Sequence, residues 1–344
     1  MSWKIEGPFN TNDSHGWVPQ VFGDVVVFRV GRGLFAWDLK KNEKLWRKEL
    51  PVDESYGNKK STKCGGNYVT FEHVGDESDP TPIIAVDPRS GETIWRTLVN
   101  ADCAFQRGLT ASREAVFFHG YHEPEEQYNL IKLNARTGDI LWEKPGYLRG
   151  SDVFCCDEHL FFNTPGSLTV TDLDGEVVHE TVESSSRRWI LSPGADHTLL
   201  AGYMEPDTGE WHLLLLDTRT FEVLGRMKDP AGQVSYTAGV RRGHFATIKD
   251  YKVFVIDALK GHHFEDRFSR SVSTDAERIV GTPHGYAILH DCEHSDNRCF
   301  SFLDENTGEV LETLELDGIA TKPYWLRGRL LAFNLSKLYV ITPE

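Results

Sequence analysis

Short runs in which apolar and polar residues alternate follow one another along the whole chain, and many neighbouring runs are separated by a tight polar turn. The three clearest cases are AWDLKKNEKLW (36–46), AVDPRSGETIW (85–95) and KLNARTGDILW (132–142). Alternation on both sides of a turn predicts strand, turn, strand. Asn42, Gly91 and Gly138 stand where the turn needs a positive φ. The pattern predicts an all-β protein.

Weaker copies of the same segment continue to the end of the chain. They are VTDLDGEVVHE from Val170, LLDTRTFEVLG from Leu215, VIDALKGHHFE from Val255, FLDENTGEVLE from Phe302 and a half-copy, LYVITPE. The third position of each copy, from Asp38 to Thr342, recurs every 38 to 49 residues. Two further strands precede each copy, so the repeat has four strands and the length of a β-propeller blade.

The two ends of the chain complement each other in this pattern. The last repeat stops after its third strand, whereas the chain begins with SWKIEGPF, where Trp3 falls at the place of Trp46 and Trp95 in their own fourth strands. The N-terminal strand is therefore predicted to complete the last blade and remove its free edge. We expect one domain, 1–344, folded as an eight-bladed β-propeller, with seven blades as the alternative because the middle copies are degenerate.

The repeat resembles the tryptophan-docking motif Ala-x-Asp-x-x-Thr-Gly-x-x-x-Trp of the PQQ-like (quinoprotein-type) β-propeller family. The matching positions are Ala85, Asp87, Ser90, Gly91 and Trp95; Asn134, Thr137, Gly138 and Trp142; and Ala36, Asp38 and Trp46. The resemblance implies that each Trp wedges against the next repeat. It does not imply one function, because members of this family include quinone- and calcium-dependent dehydrogenases, non-catalytic assembly scaffolds and cytoplasmic repeat proteins.

Charge and cysteine content narrow the classes of partner and compartment. The formal net charge is -15, which argues against general binding to nucleic acid. The sequence shows neither a signal-peptide pattern nor an apolar run long enough to span a membrane, so we expect a soluble, cytoplasmic protein. Its six cysteines, at 64, 103, 155, 156, 292 and 299, are then expected to be thiols.

Two segments are candidates for chemistry. The vicinal pair Cys155-Cys156 resembles the ring disulfide over the quinone in the dehydrogenase branch, but a pair of small buried thiols in a strand is the favoured interpretation. His290, Cys292, His294 and Cys299 could bind zinc, although the spacing is unlike that of a structural zinc site and a solvated hairpin tip is favoured. The sequence contains no GxGxxG, Walker-type, GxSxG or HExxH motif. We therefore expect no enzyme, no cofactor and no metal.

The connections between second and third strands are long and acidic in four repeats, at 72–82, 119–128, 203–211 and 290–299. They hold thirteen Asp and Glu and one Arg. The residues predicted to contact a partner are Glu72, Asp76, Glu77, Asp79, Tyr121, His122, Glu123, Glu125, Glu126, Tyr128, Tyr203, Glu205, Asp207, Glu210, Trp211, Asp291, Glu293, His294 and Asp296. Carboxylates with interleaved aromatics suit a basic protein partner. The alternative is that acidic residues merely dominate soluble loop tips. Calcium binding by these loops is less favoured, since none shows the alternating Asx pattern of a dedicated calcium loop.

The sequence therefore favours a non-catalytic, protein-binding propeller that is monomeric by itself and binds neither nucleic acid nor membrane. One specific hypothesis is an immunity or antitoxin-type protein whose acidic loops cover a basic toxin. An assembly scaffold is the alternative, and a quinone- or metal-dependent oxidoreductase is less favoured.

Overall fold

Strands and turns make up the part of the chain that the computed structural model describes, and no helix occurs there. The described residues are 3–10, 16–30, 33–51, 61–72, 80–100, 108–122, 127–147, 153–164, 167–182, 189–193, 197–205, 207–228, 244–249, 252–257, 265–271, 278–282, 284–292, 295, 297–304, 307–316, 320–326, 328–334 and 337–343. None of these residues lies in a helix that could span a membrane. The chain forms two compact units, an N-terminal unit (Gly16–Val182) and a C-terminal unit (Met1–His15 with Glu183–Glu344).

The N-terminal unit contains four antiparallel sheets, each built from four consecutive strands. The first sheet has β2 (Gly16–Phe22), β3 (Val25–Val30), β4 (Gly33–Asp38) and β5 (Glu43–Glu49), and the second has β6 (Ser61–Cys64), β7 (Asn67–Phe71), β8 (Thr81–Val86) and β9 (Thr93–Val99). The third has β10 (Gly108–Ala111), β11 (Ala115–His122), β12 (Gln127–Asn134) and β13 (Ile140–Tyr147), and the fourth has β14 (Val153–Cys156), β15 (His159–Thr164), β16 (Ser167–Asp172) and β17 (Val177–Val182).

The C-terminal unit contains the other four sheets. They comprise β18 (Trp189–Pro193), β19 (Thr198–Met204), β20 (Trp211–Asp217) and β21 (Val223–Lys228); β22 (His244–Lys249), β23 (Lys252–Asp257) and β24 (Glu265–Ser271); and β25 (Arg278–Thr282), β26 (Gly285–Asp291), β27 (Arg298–Asp304) and β28 (Val310–Leu316). The last has β29 (Ala320–Leu326), β30 (Arg329–Asn334), β31 (Lys337–Pro343) and β1 (Trp3–Asn10). The described strands thus form eight sheets, a number consistent with eight blades.

The N-terminal strand completes the last sheet, as the sequence predicts. β1 pairs antiparallel with β31, with Trp3 opposite Pro343 and Ile5 opposite Ile341. The free edge that β31 would otherwise present is therefore covered by a segment from the other end of the chain.

The residue at the third position of the repeat, Asp87 in the second copy, fixes the turn between third and fourth strands. Asp87 Oδ1 accepts hydrogen bonds from the backbone N–H groups of Arg89 (2.9 Å) and Ser90 (2.7 Å). The N–H of Gly91 donates to the Asp87 carbonyl at 3.0 Å, and Gly91 has a φ of 76°. The same two side-chain bonds recur at Asp38, Asn134 and Asp217. These are Asx-type turns, in which the side-chain oxygen caps the backbone of the turn.

Tryptophans of one sheet dock on the turn of the next, which confirms the wedge that the resemblance implies. The indole N–H of Trp46 donates to the carbonyl of Pro88 (3.1 Å), and that of Trp95 to the carbonyl of Ala135 (2.9 Å). A Cβ on Gly91 would lie 2.8 Å from the ring of Trp46. The motif glycine is therefore required both for its positive φ and for the close approach of the tryptophan.

The core lies between the middle strands of neighbouring sheets. Val69 and Ile83 of the second sheet pack in one buried cluster with Val116 and Ile131 of the third. All six residues of β8 are buried. Middle strands are covered on both faces, so they are continuously apolar, whereas the alternation seen in sequence belongs to the outer strands.

Candidate functional site

The second-to-third strand connection of the second sheet presents Glu72 in an ion pair. Its Oε2 accepts a hydrogen bond from Arg96 Nε at 2.7 Å, and its backbone N–H donates to the carbonyl of Pro82. Arg96 lies on the outer strand β9, outside the connection. The charge of Glu72 is thus partly compensated by a base that belongs to a different strand.

The corresponding connection of the third sheet is shorter than the sequence suggests, because β11 extends to His122 and β12 begins at Gln127. Tyr121 pairs across the two strands with Tyr128, and their ring centroids are 5.0 Å apart. Tyr128 is buried and also stacks on His119 at 5.3 Å. Tyr128 therefore supports Tyr121, which is half-buried, and offers little surface of its own to a partner.

Beneath this aromatic pair, His119 is buried and uncharged at neutral pH. Burial lowers the pKa of His119 to about 4. The imidazole consequently adds no positive charge under the acidic connection.

The β19–β20 connection has the same backbone pattern as the motif turns at the opposite end of the sheets. The N–H of Glu205 donates to the carbonyl of Glu210, and the N–H of Gly209 to the carbonyl of Glu205, both at 2.8 Å. Asp87 and its turn make the equivalent two bonds. Thr208-Gly209-Glu210 is the sequence signal for this turn, and it repeats the Thr-Gly-Glu/Asp of the motif copies. The prediction of an acidic loop for this segment did not include this turn.

Glu205 differs from the motif Asp in one methylene, and its carboxylate takes a different role. Its Oε2 accepts a hydrogen bond from Thr208 Oγ1 at 2.8 Å. Glu205, Glu210 and His212 each present one ligand atom, all within 4.8 Å of one another. Lys228 of β21 donates to Glu210 Oε1. This hydrogen bond lowers the pKa of Glu210.

The other predicted contacts of this connection lie beside that cluster. Tyr203 stacks on His212 with ring centroids 5.3 Å apart and an interplanar angle of 20°. Trp211 is half-buried and pairs with Met204 at the end of the strands. Asp207 is exposed.

The β26–β27 connection contains a disulfide, so the expectation that all six cysteines are thiols is wrong. Cys292 and Cys299 are bonded to each other with their Cα atoms 5.3 Å apart. Asp291 forms an ion pair with Arg298, its cross-strand neighbour, at 2.6 Å. The disulfide joins the end of β26 to the start of β27, on either side of the acidic loop.

The alternative that this segment binds zinc does not fit its side chains. The sulfurs of Cys292 and Cys299 are consumed by the disulfide. His290 Nδ1 lies 2.7 Å from the carbonyl of Asp291, and its Nε2 lies 2.8 Å from Ser301 Oγ. Both nitrogens are thus engaged within the hairpin, and His294 lies outside the described residues.

Cys155 and Cys156 are thiols, not a vicinal disulfide. They end β14, and Asp157 and Glu158 form the following turn with φ values of 47° and 66°. Burial raises the pKa of Cys155 to about 12. Such a thiol is a poor nucleophile, and so is the buried thiol of Cys64. The expected pair of buried thiols is wrong in one respect, because Cys155 and Cys156 are half-buried. Cys103 lies outside the described residues.

Part of the predicted contact set has no described position. Those residues are Asp76, Glu77, Asp79, Glu123, Glu125, Glu126, Glu293, His294 and Asp296, together with the side chain of His122. The described members lie either in these connections, as Glu72, Glu205, Asp207 and Glu210 do, or in the strands that adjoin them, as Tyr121, Tyr128, Tyr203, Trp211 and Asp291 do. They fall in two groups. Glu72, Tyr121 and Tyr128 belong to the N-terminal unit, and Tyr203, Glu205, Asp207, Glu210, Trp211 and Asp291 belong to the C-terminal unit.

Comparison with known proteins agrees with this architecture. The model of the family described as outer membrane protein assembly factor BamB matches residues 78–199. BamB from Moraxella catarrhalis superposes with a TM-score of 0.69 at 12% identity, covering 99% of this chain and 100% of its own. The fold is that of a β-propeller.

The chain also resembles the propellers of other proteins. The Dos1 propeller has a TM-score of 0.63 at 12% identity, covering 99% of this chain and 95% of its own. Sqt1 from Saccharomyces cerevisiae has a TM-score of 0.64 at 10% identity, covering 99% of each chain. No curated protein matches the sequence significantly. At these identities the likeness shows the fold alone.

Proposed function

We propose that this PQQ-like propeller is a non-catalytic binding protein that recognises a basic protein through the acidic connections between its second and third strands. The observation that carries the proposal is the uneven distribution of charge. Thirteen acidic residues and one Arg fall in four such connections. Carboxylates in one class of loop on a rigid sheet scaffold attract a basic partner over long range and speed its encounter.

Half-buried aromatics beside the carboxylates supply the short-range part of recognition. Tyr121 lies over the buried Tyr128 in the N-terminal unit, and Trp211 and Tyr203 lie near Glu205 in the C-terminal unit. Aromatic side chains held by their neighbours lose little conformational entropy when a partner covers them. The matched family is described as an assembly factor, a role exercised through protein contacts, and this supports the same class of function.

Within this class we favour an immunity or antitoxin-type protein whose carboxylates cover the basic active site of a toxin. An assembly scaffold is the second candidate, supported by the family match over 78–199. The two differ in consequence, since an immunity protein abolishes its partner's activity and a scaffold leaves that activity intact. The quinone enzyme is disfavoured because the ring disulfide on which that interpretation depends is not formed between Cys155 and Cys156.

The decisive experiment is affinity capture from the native lysate at low and at physiological ionic strength, followed by an activity assay of the captured protein. The test variant carries Glu205→Gln, Asp207→Asn and Asp291→Asn. The matched control carries Glu92→Gln, Asp139→Asn and Glu222→Gln, which are exposed acids of the motif turns. We expect the test variant to associate more slowly, with the greatest loss at low ionic strength, and the control to bind normally.

Failure to capture a stable partner at low ionic strength contradicts the proposal, as does a partner lost only in the control variant. Inhibition of the captured protein identifies the immunity role. Unchanged activity of the captured protein identifies the scaffold.

A monomeric state and a cytoplasmic location also belong to this proposal. Sedimentation velocity tests the former. In the cytoplasm the Cys292–Cys299 disulfide would be exposed to cellular reductants, whereas stable disulfides persist mainly in oxidising compartments, so the location needs a test of its own. Cell fractionation followed by thiol labelling of these two cysteines decides the location.

A further inference from the structure

We propose that Glu205, Glu210 and His212 form a binding site for a divalent transition-metal ion, with Zn²⁺ as the expected occupant. Glu205 and Glu210 also belong to the predicted contact set, but binding of Zn²⁺ by the isolated protein does not depend on a protein partner. The three residues belong to one hairpin, since Glu205 follows β19, Glu210 precedes β20 and His212 lies within β20. The hairpin is held by two backbone hydrogen bonds of 2.8 Å across its turn, so the donors are carried by a fixed frame.

The unused ring nitrogen of His212 is the observation that points to a ligand. Its Nε2 atom is buried and makes no hydrogen bond. A buried polar atom without a partner is costly, and a metal ion is one species that satisfies an imidazole nitrogen. Stacking on Tyr203 holds the ring in place. This nitrogen distinguishes the cluster from an ordinary group of surface carboxylates.

The separations of the donor atoms suit a single small ion. His212 Nε2 lies 3.7 Å from Glu205 Oε2, too far for a hydrogen bond. Two ligands of one tetrahedral Zn²⁺, each at about 2.0–2.2 Å, lie roughly 3.3 Å apart. All three donor atoms lie within 4.8 Å of one another, so small side-chain rotations bring them to that spacing.

The donor set favours a transition metal over Mg²⁺ or Ca²⁺. One imidazole nitrogen with two carboxylates is a ligand combination that zinc proteins use, with a fourth position left to water. Mg²⁺ and Ca²⁺ prefer shells of oxygen alone. The half-buried setting of the three side chains leaves an open side for the ion and its water.

Lys228 is a cation that competes with a metal ion for Glu210. Its ammonium group donates to Glu210 Oε1, and the lysine side chain is largely exposed. An ion that takes Glu210 as a ligand competes with this ammonium group for the negative charge of the carboxylate. Removal of Lys228 is therefore expected to raise the affinity for zinc, a result that loss of a merely structural ion pair would not produce.

The experiment is calorimetric titration of the metal-free protein with ZnCl₂, with the visible spectrum of Co²⁺ as a second readout. We compare the wild type with His212→Phe, which keeps an aromatic ring against Tyr203 but removes the nitrogen, and with Glu210→Gln. Each variant should lose the site, weakening Zn²⁺ binding by more than the roughly 10- to 100-fold that loss of an outer-shell partner costs. Lys228→Met should bind about two- to fivefold more tightly.

The control is Glu222→Gln, an exposed acid at the other end of the same sheet, which should bind like the wild type. Thermal melting in EDTA checks that each variant folds. The proposal is overturned if the wild type binds no Zn²⁺, if His212→Phe and Glu210→Gln both bind like the wild type, or if Ca²⁺ competes as well as Zn²⁺.

Discussion

The indole nitrogen of Trp95 lies 2.9 Å from the carbonyl oxygen of Ala135, 40 residues further along the chain, and donates a hydrogen bond to it. Trp95 lies on the outer strand β9 of one sheet, and Ala135 begins the turn after β12 in the next. The ring is only 7% exposed. The Trp95 side chain is thus both buried and hydrogen-bonded, and the two interactions together fix the position of one sheet against its neighbour.

Trp95→Ala is expected to lower the free energy of unfolding by about 3–5 kcal/mol, because a large buried ring is removed and little can fill its place. Urea denaturation at neutral pH measures the loss. An unchanged midpoint would mean that the ring does not dock between the sheets.

The hydrogen bond of Trp95 can be separated from its burial by a comparison with Trp142, whose buried Nε1 has no hydrogen-bond partner. Trp95→Phe leaves the carbonyl of Ala135 without its donor, whereas Trp142→Phe removes no hydrogen bond. We expect Trp95→Phe to be more destabilising by about 1 kcal/mol. Equal losses in urea denaturation would show that the hydrogen bond contributes nothing.

Gly138 tests the close approach that the docking requires. Its φ is 77°, and an added Cβ would lie 2.6 Å from Thr97 Oγ1 and 2.7 Å from the Trp95 ring. Gly209 has a similar φ of 70° with nothing within 4 Å of such a Cβ. Gly209→Ala should cost about 1–2 kcal/mol from backbone strain alone. Gly138→Ala should cost about 1–3 kcal/mol more, from overpacking. Similar melting temperatures for the two variants would contradict this account.

The fold was predictable because its determinants are local and repeat along the chain. Asp87 and Gly91 each read as turn residues from their neighbours alone, and the spacing of such turns gives the blade length. The pairing of Trp3 with Pro343 was also predictable, because the last repeat lacks one strand and the N-terminus supplies one. Such inferences need only the period of the pattern.

Asp87 should make stability depend on pH. The backbone N–H of Ser90 is the largest cause that lowers the pKa of this carboxyl, and Arg89 adds to it. A group whose pKa is lower in the folded state stabilises the protein above its unfolded pKa, and that contribution disappears as the pH falls through the folded value. The destabilisation caused by Asp87→Ala should therefore shrink as the pH falls below the ordinary value of 3.8.

Asn134 provides the control for that titration. It makes the same two backbone hydrogen bonds in the next turn through an uncharged amide. The cost of Asn134→Ala should stay constant over the same pH range in urea denaturation. Parallel curves for the two variants would show that the charge of Asp87 contributes nothing.

The candidate site was less predictable, because its contacts join residues that are distant in sequence. The net charge of the connections does not include Arg96 and Lys228, because both lie on outer strands. These two bases partly compensate the negative charges of Glu72 and Glu210. The spacing of β11 and β12 likewise does not reveal that Tyr128 is buried. Thr208 and Gly209 indicate a motif-type turn from their sequence. Elsewhere in the chain, however, Thr-Gly occurs in the turns between third and fourth strands, at the opposite end of the sheet.

The disulfide between Cys292 and Cys299 can be tested chemically, and it matters because the sequence led us to expect two thiols. Under denaturing conditions without reductant, two fewer cysteines should react with a thiol reagent than after reduction. The double variant Cys292→Ser, Cys299→Ser should be less stable by about 2 kcal/mol, since it restores the entropy of a short loop to the unfolded chain. Urea denaturation without reductant measures this loss.

Cys155→Ser with Cys156→Ser is the matched control, because these two side chains are thiols in the structure and their replacement closes or opens no loop. In the Cys292/Cys299 variant, amide exchange should also quicken at Cys292, whose N–H donates to the carbonyl of Asn297 at 3.0 Å. Ser295 and Asn297 should keep their hydrogen bonds to Glu315, so the loop loosens near the strand ends first. If all six cysteines react without reductant, the protein contains no disulfide and the expectation of six thiols is correct.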